Sequence, residues 1–155
     1  MENTINVEGR LKLKVYDKKT KKVIRDIDLK NMIVVNGFYD IVKLLGSQGG
    51  AGLTKFGVGT SDTPAEETDT SLSNQQTKLI DSNVIEASQK AITYNFDIET
   101  SEFNGMTINE FGLFYVDNGN DTLFSRRVLD APIVKTINIA ITGTWTISFD
   151  ASEEE

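Results

Sequence analysis

The stretch that decides the fold is Ile137-Asn-Ile-Ala-Ile-Thr-Gly-Thr-Trp-Thr-Ile-Ser-Phe149, near the end of a 155-residue chain. Large apolar residues occupy its odd positions, and small, mostly polar residues occupy its even positions. An alternation with a period of two is typical of a β-strand that buries one face. The pattern therefore predicts a core strand carrying Trp145. Such a strand would be unusually long, about 43 Å if straight, so Gly143 is predicted to form a bend or bulge.

Other segments with the same alternation predict more strands. Residues 11–16 and 23–29 predict a hairpin within residues 5–29, and the run Lys18-Lys-Thr-Lys-Lys22 predicts its solvated turn, with a polyanion-binding patch as the alternative. Further strands are predicted at 78–86, 91–98, 106–116 (bulged near Gly112) and 123–128. Asn118-Gly119 is expected to form a hairpin turn, and Pro132 is expected to interrupt the chain before the last strand.

One segment predicts a helix, over residues 37–45. Phe38, Ile41, Val42 and Leu45 recur at helical spacing and are expected to face the core. Asn36 is predicted to cap its start, and Gly46 is predicted to end it in a left-handed conformation.

One helix against about eight strands predicts a mainly β protein. The expected architecture is an antiparallel β-sandwich with one short α-helix covering an edge or end. A single domain is expected over residues 1–150, followed by a disordered acidic tail at 151–155.

The composition excludes several kinds of chemistry. The chain has no cysteine and no histidine, which rules out disulfides, thiolate nucleophiles, cysteine-ligated zinc and Ser-His-Asp catalysis. Its net charge of -7 disfavours nucleic-acid binding. Because no apolar run is long enough for a membrane span and the first residues are polar, neither membrane insertion nor a signal peptide is expected.

Three segments contain residues that also occur in functional sites. Phe56-Gly-Val-Gly-Thr60 lacks the Lys-Ser/Thr of a phosphate loop, and a strand ending in a tight turn is the favoured interpretation. Asp117, Asn118, Asn120 and Asp121 lack the calcium-loop order, and a hairpin turn is favoured there. A glycosidase pair drawn from Asp97, Glu99, Glu102 and Glu110 would need a separation that sequence cannot supply. No catalytic residue, metal or cofactor is therefore expected.

Glu110 has a predicted structural role instead. It lies among apolar strand residues, and Arg126 and Arg127 lie on the strand expected to pair with it. A charge that is partly inside a sheet needs a partner. A contact of Glu110 with either arginine would fix the register of this hairpin, within one chain or across a subunit boundary.

The even face of the last strand is the other candidate interface. Thr142, Thr144 and Thr146 carry no charge, as is common at the centre of a subunit contact. The alternative interpretation is an ordinary solvated face of an antiparallel sheet.

Four motifs occur in a fixed order along the chain. They are Phe56-Gly-Val-Gly-Thr60 with Thr63-Pro64 and Asp69-Thr-Ser-Leu72, then Ile108-Asn-Glu-Phe-Gly-Leu-Phe-Tyr115, Leu123-Phe-Ser-Arg-Arg127 and Trp145-Thr-Ile-Ser-Phe149. This ordered set resembles small virion proteins of tailed bacteriophages, of the tail-fibre, baseplate and collar type. The resemblance covers residues 31–149. The chain departs from the pattern at Phe111, which stands between the acidic residue and the glycine of the second motif.

The resemblance implies a non-enzymatic structural component of a phage particle, made in the bacterial cytoplasm and built into the virion. Its partners would be copies of itself, as a trimer, ring or symmetric cluster, and other virion proteins. A capsid-decorating or head-fibre protein is the alternative within that class. The alternative from another class is a carbohydrate-binding module for a host surface glycan, which would expose Tyr94, Tyr115 or Trp145 for stacking.

Overall fold

The computed structural model describes residues 3–153. It contains nine strands, one α-helix and one short 3₁₀ turn over Ala87–Gln89. In chain order the elements are β1 Asn3–Asp17, β2 Val23–Ile33, α1 Val35–Leu45, β3 Leu53–Gly59, β4 Gln76–Leu79, β5 Ser82–Glu86, β6 Ala91–Ile98, β7 Thr107–Asp117, β8 Asn120–Val134 and β9 Ile139–Glu153. The prediction of a mainly β protein with one helix is confirmed.

The strands form one curled sheet, a half-barrel, and not the sandwich that was expected. Its order is β4-β3-β7-β8-β2-β1-β9-β6-β5, and every pairing is antiparallel. The curl brings strands near the two ends of this order together, because Phe56 on β3 stacks on Phe96 on β6 with ring centroids 4.3 Å apart. In the middle, β2 and β8 pair only at Met32–Arg126 and Ile33–Ser125.

The predicted N-terminal hairpin is present and longer than residues 5–29. It consists of β1 and β2, and β1 also pairs along its whole length with β9. Ala151 and the next two residues continue β9 opposite the start of β1, so the backbone at 151–153 is a paired strand and not the expected disordered tail. Residues 154 and 155 lie outside the described part of the chain.

The odd face of β9 lies in the core. Ile141 and Trp145 are fully buried and Ile147 is nearly so, whereas Ile139 and Phe149 are half-buried at its margin. Ile137 lies before the strand begins and is exposed. The alternation therefore predicted the buried face correctly, but the strand begins two residues later and ends four residues later than predicted.

The predicted turns and irregularities are present in part. The register shifts of β7 lie between Ile108 and Glu110 and between Leu113 and Phe114, so the second one falls near Gly112 as predicted, although Gly112 itself is regularly paired. Pro132 lies inside β8, between the two stretches of that strand that pair with β7, at Asn120 to Val128 and at Ile133 to Val134. The predicted turn at Asn118-Gly119 is confirmed, because both residues have positive φ.

The helix is present, but its ends differ from the prediction. It spans Val35–Leu45, and the capping position is Val34, which makes no side-chain capping hydrogen bond. Gly46 has a φ of -86°, and the left-handed residue is Ser47. Asn36 lies inside the first turn, where its carbonyl accepts a hydrogen bond from Tyr115 Oη at 3.0 Å.

The side of the helix that faces the sheet matches the predicted one only in part. Gly37 and Asp40 are the buried residues, whereas Val42 and Leu45 are 67% and 83% exposed. Gly37 explains the orientation, because a Cβ there would overlap the carbonyl oxygen of Phe124 on β8. Close contact through this small residue fixes the helix. Of the predicted apolar stripe, Ile41 packs against the core, whereas Phe38, Val42 and Leu45 are left at the surface.

Candidate functional site

The motifs at Glu110 and Arg126 meet inside the protein. Glu110 on β7 is fully buried and Arg126 on β8 is 3% exposed. Arg126 Nε donates a hydrogen bond of 2.7 Å to Glu110 Oε2. Of the two arginines considered from sequence, the structure thus places Arg126 against Glu110.

The same ion pair holds the segment 60–75 against the sheet. Glu110 Oε1 accepts hydrogen bonds from the amides of Ser61 at 3.1 Å and Ser73 at 2.7 Å. Arg126 Nη1 donates to Asp69 Oδ2 at 2.8 Å, and Arg126 Nη2 donates to the carbonyl of Thr63 at 2.9 Å. Both charges are therefore satisfied by protein groups, as buried charges must be.

Gly59 makes this arrangement possible. A Cβ at this position would lie 2.8 Å from Leu72 Cβ and 2.8 Å from the carbonyl oxygen of Ser73, and would also meet Glu110 Oε1. The first motif therefore uses its glycine for close packing beneath the loop. The second, third and first motifs thus form one hydrogen-bonded unit, hereafter the Arg126 network (Thr63, Asp69, Glu110, Arg126).

Arg127 points elsewhere. Its Nη1 donates to the carbonyl of Lys30 on β2 at 3.0 Å, and its Nη2 lies 3.3 Å from Asp130 Oδ1. Arg25 makes a similar bridge from β2 to the carbonyls of Ala131 and Pro132 on β8. Arginine side chains thus span the gap where β2 and β8 are not directly paired.

Trp145 is a core residue with one polar neighbour. Its side chain is fully buried. If the amide of Asn31 is turned by 180°, its oxygen accepts a hydrogen bond from Trp145 Nε1 and its nitrogen donates to Ser125 Oγ. Gly9 leaves the space that Asn31 occupies. Asn31 lies on β2, and it therefore connects the neighbouring strand β8 to β9, which lies beyond β1.

The threonine face of β9 points outward, but it is not part of a charge-free surface. Thr146 Oγ1 lies 2.9 Å from Thr93 Oγ1 on β6. Thr142 and Thr144 pair with Lys14 and Lys12 on β1. Lysines border the threonines on the β1 side, whereas on the β6 side Thr93 and Asn95 extend the uncharged surface as far as Asp97. The structure therefore weakens the charge argument for a subunit contact here.

The candidate glycosidase carboxylates are divided between two places. Asp97 and Glu102 both contact Lys78 Nζ, at 3.1 and 2.7 Å, whereas Glu110 belongs to the Arg126 network. Burial raises the pKa of Glu102, but the hydrogen bonds from Lys78 and the Glu99 amide outweigh it and leave that pKa below its usual value. Glu99 is exposed and contributes backbone groups, its amide to the Glu102 carboxylate and its carbonyl to the Glu102 amide.

The candidate calcium loop is a hairpin turn with an occupied carboxylate. Asp121 Oδ1 lies 2.9 Å from Lys55 Nζ, and its Oδ2 accepts a hydrogen bond from Thr77 Oγ1 at 3.0 Å. Among the described residues, no group of three or more Asp, Glu, His or Cys side chains is arranged to hold a metal ion.

The three aromatic residues considered for sugar stacking are buried. Tyr94, Tyr115 and Trp145 are 7%, 5% and 0% exposed. Burial raises the pKa of Tyr94 to about 12, with the charge of Asp40 adding to the effect. A stacking platform must be open to solvent, so these residues do not form one.

The most exposed apolar surface lies on α1, where sequence reasoning expected a buried face. Its large apolar side chains that are substantially exposed are Phe38, Tyr39, Val42, Leu44 and Leu45, hereafter the helix surface. Contiguous exposed apolar patches in soluble proteins often mark interaction sites. The only sequence signal for this orientation was the spacing of Gly37 and Asp40. That signal is weak, because small and polar residues rarely define a buried face.

Comparison with models of known protein families, with curated proteins and with solved structures found no match to this chain. Within residues 3–153, no helix has the length and apolarity needed to cross a membrane.

Proposed function

We propose that this chain is a non-enzymatic structural component of a bacteriophage particle, in the tail, baseplate, fibre or collar region, and that it acts by protein–protein assembly. The observation that carries assembly is the helix surface. Val42, Leu44 and Leu45 are each about half exposed or more. A partner that covers such side chains stabilises the complex by about 25 cal/mol for each Å² of apolar surface removed from water.

The Arg126 network supports a structural role for the motif residues. Its charges are buried or partly buried and bind one another and backbone groups. None of its members is left facing a groove as a free acid, base or nucleophile. The motifs that carry the phage resemblance thus serve to hold a long loop on a sheet.

A capsid-decorating or head-fibre protein would use the same surface for assembly. Only the position of the chain in the particle distinguishes that alternative from a component of the tail, baseplate, fibre or collar region. The carbohydrate-binding alternative loses its proposed platform, because Tyr94, Tyr115 and Trp145 are buried.

The direct test is to purify particles of the phage or lysogen that encodes the chain, and to measure the protein by mass spectrometry and locate it by cryo-electron microscopy. We expect it in symmetric multiples at one position. Absence from particles in which other virion proteins are detected would overturn the proposal.

The role of the helix surface is tested by complementing a deletion with V42D/L45D. We expect the purified variant to fold and to be absent from particles. K43E, which changes an exposed polar residue of the same helix, is the matched control and should be incorporated normally. Normal incorporation of V42D/L45D would show that another surface makes the contact.

A further inference from the structure

The turn between β1 and β2 presents a strong positive charge. Lys18, Lys19, Lys21 and Lys22 are all exposed, and none of them forms an ion pair within the described residues. Asp17 fixes the turn, because its carboxylate accepts hydrogen bonds from the amides of Lys19 and Thr20. The lysines are therefore displayed on a defined backbone. We call this turn the basic tip (residues 18–22).

Apolar side chains surround the basic tip. Val23 and Ile24 follow it directly and are 44% and 57% exposed. Ile137 lies beside it, since Lys18 donates its amide to the carbonyl of Asn138, and Ile137 is also 57% exposed. The tip thus combines a cationic surface with an apolar one.

A groove of complementary character lies at the other end of β2. Its volume is about 680 Å³, and exposed parts of Met32, Phe38 and Pro64 contribute apolar surface to it. Asp62 and Glu67 lie on its loop side, and Glu66 is adjacent to Glu67. We call this site the acidic groove.

The unpaired charge of the groove is negative, although cations also line it. Arg126 is neutralised by Glu110 and Asp69, Arg127 lies against Asp130, and Lys30 lies 3.6 Å from Glu8. By contrast, Asp62, Glu66 and Glu67 appear in no ion pair among residues 3–153. These three carboxylates remain available to a cationic partner.

The geometry of β2 prevents the two sites from meeting within one chain. The basic tip immediately precedes β2, and the acidic groove is lined by its last residues. A strand of 11 residues separates them by about 33 Å. The complementary charges can therefore be paired only between different molecules.

We propose that the basic tip of one copy binds the acidic groove of the next. Opposite charge steers the encounter and fixes its orientation, and the apolar side chains of both sites are covered on contact. Because the two surfaces differ, the contact is heterologous and generates a ring if the rotation closes, or a filament if it does not. This inference specifies the self-assembly contained in the proposed function.

The test uses two charge-reversed forms of the full chain. The tip variant is K18E/K19E/K22E, in which Lys21 is kept because its φ is 60°. The groove variant is D62K/E66K/E67K. We expect the unmodified protein to associate in analytical ultracentrifugation, more weakly as salt is added. Each variant alone should associate at least about tenfold more weakly, because its two sites now carry the same sign.

Mixing the two variants provides the decisive comparison. The anionic tip of one variant then meets the cationic groove of the other, while the two unmodified sites also match, so association should return. K12E/K14E/K43E changes three exposed lysines outside both sites by the same total charge and should associate like the unmodified protein. Circular dichroism of each variant establishes that it is folded.

Zero-length carboxyl–amine cross-linking of mixed ¹⁴N and ¹⁵N copies locates the contact. We expect links between the tip lysines of one isotope and Glu66 or Glu67 of the other. The proposal is overturned by a 17.2 kDa monomer at about 100 µM, by association that the reversals leave unchanged, or by a mixture that does not recover. None of these results would contradict the proposal that the chain is a virion component, because particle mass spectrometry tests that proposal separately.

Discussion

Phe96 on β6 fills the space beside its pairing partner Gly143 on β9. A Cβ at Gly143 would lie 2.9 Å from Leu13 Cδ2 and would overlap the edge of the Phe96 ring. Phe96 cannot easily withdraw, because its ring also stacks on Phe56 and lies beside Phe111. Gly143 is thus needed for packing, and β9 passes through it in regular register with no bulge.

The first prediction follows from this contact. Gly143→Ala should destabilise the protein by about 1–3 kcal/mol, because the added methyl group forces Phe96 or Leu13 out of place. Gly52→Ala is the matched control, since a Cβ there meets nothing within 4 Å, and its effect should stay within about 0.5 kcal/mol. Urea denaturation measures both, and equal effects would contradict the packing role.

The second prediction compares neighbouring arginines. Arg126→Met leaves the buried carboxylate of Glu110 without its counter-charge and should cost about 3–5 kcal/mol. Arg127→Met removes a partly exposed pair and should cost about 1 kcal/mol or less. Urea denaturation gives the stabilities, and limited proteolysis should cut segment 60–75 faster only in Arg126→Met. Comparable losses in both variants would refute the assignment of Arg126 as the anchor.

Local periodicity explains which features could be read from the sequence. The buried face of β9, the N-terminal hairpin and the Asn118-Gly119 turn each depend on residues close in the chain. The contact of Glu110 with an arginine could also be anticipated, because a charge among apolar strand residues needs a partner. The choice of Arg126 over Arg127 depends on which side of β8 each residue occupies.

The missed features depend on contacts between distant segments. The buried face of α1 is set by Gly37 against the carbonyl of Phe124, and no helical periodicity contains that information. The role of Gly143 depends on Phe96, which is on another strand. The curl of the sheet brings Phe56 against Phe96, two residues on strands that the sequence gives no reason to place together.

The third prediction concerns Trp145. Trp145→Ala should cost about 3–5 kcal/mol, because the side chain is fully buried and leaves a large cavity. The exposed Tyr39 provides the control, and Tyr39→Ala should change stability by no more than about 0.5 kcal/mol. Thermal unfolding followed by circular dichroism measures both. An unchanged melting temperature for Trp145→Ala would be inconsistent with its burial.

The fourth prediction concerns pH. Burial raises the pKa of Asp40 above 3.8; the Ala51 amide and Lys43 oppose this shift, and Asp117 adds to it. The folded state therefore binds a proton more tightly than the unfolded state. The stability that protonation of Asp40 contributes is fully present below pH 3.8, and it is lost as the pH rises through the raised pKa of the folded state.

Asp40→Asn removes this titration. Its stability relative to the unmodified protein should rise with pH across that window and stay constant above it, as measured by urea denaturation at several pH values. Asp40 Oδ2 has no hydrogen-bond partner, so the neutral amide also removes a buried unpaired charge. A difference that does not change with pH would show that Asp40 is solvated and titrates normally. Asp26→Asn, at an exposed site on β2, serves as the control.

The last prediction concerns Lys135, which is fully buried at the end of β8. Its Nζ donates hydrogen bonds to Asn104 Oδ1 at 2.8 Å and to the carbonyl of Thr136 at 3.0 Å, and reaches the carbonyl of Thr100 at 3.4 Å. Burial lowers the pKa of Lys135, and the charge of Glu102 opposes that shift. The lysine thus ties the loop between β6 and β7 to the end of β8.

Lys135→Met keeps the length of the side chain and removes its donors. Because the loop acceptors are then left unpaired, we expect a loss of about 1–3 kcal/mol. Hydrogen exchange should also become faster at residues 100–105, while the rest of the sheet stays protected. Lys90→Met, at an exposed lysine, should leave both quantities unchanged. If Lys135→Met lowered stability without faster exchange in that loop, the lysine would be a packing residue and not the anchor of the loop.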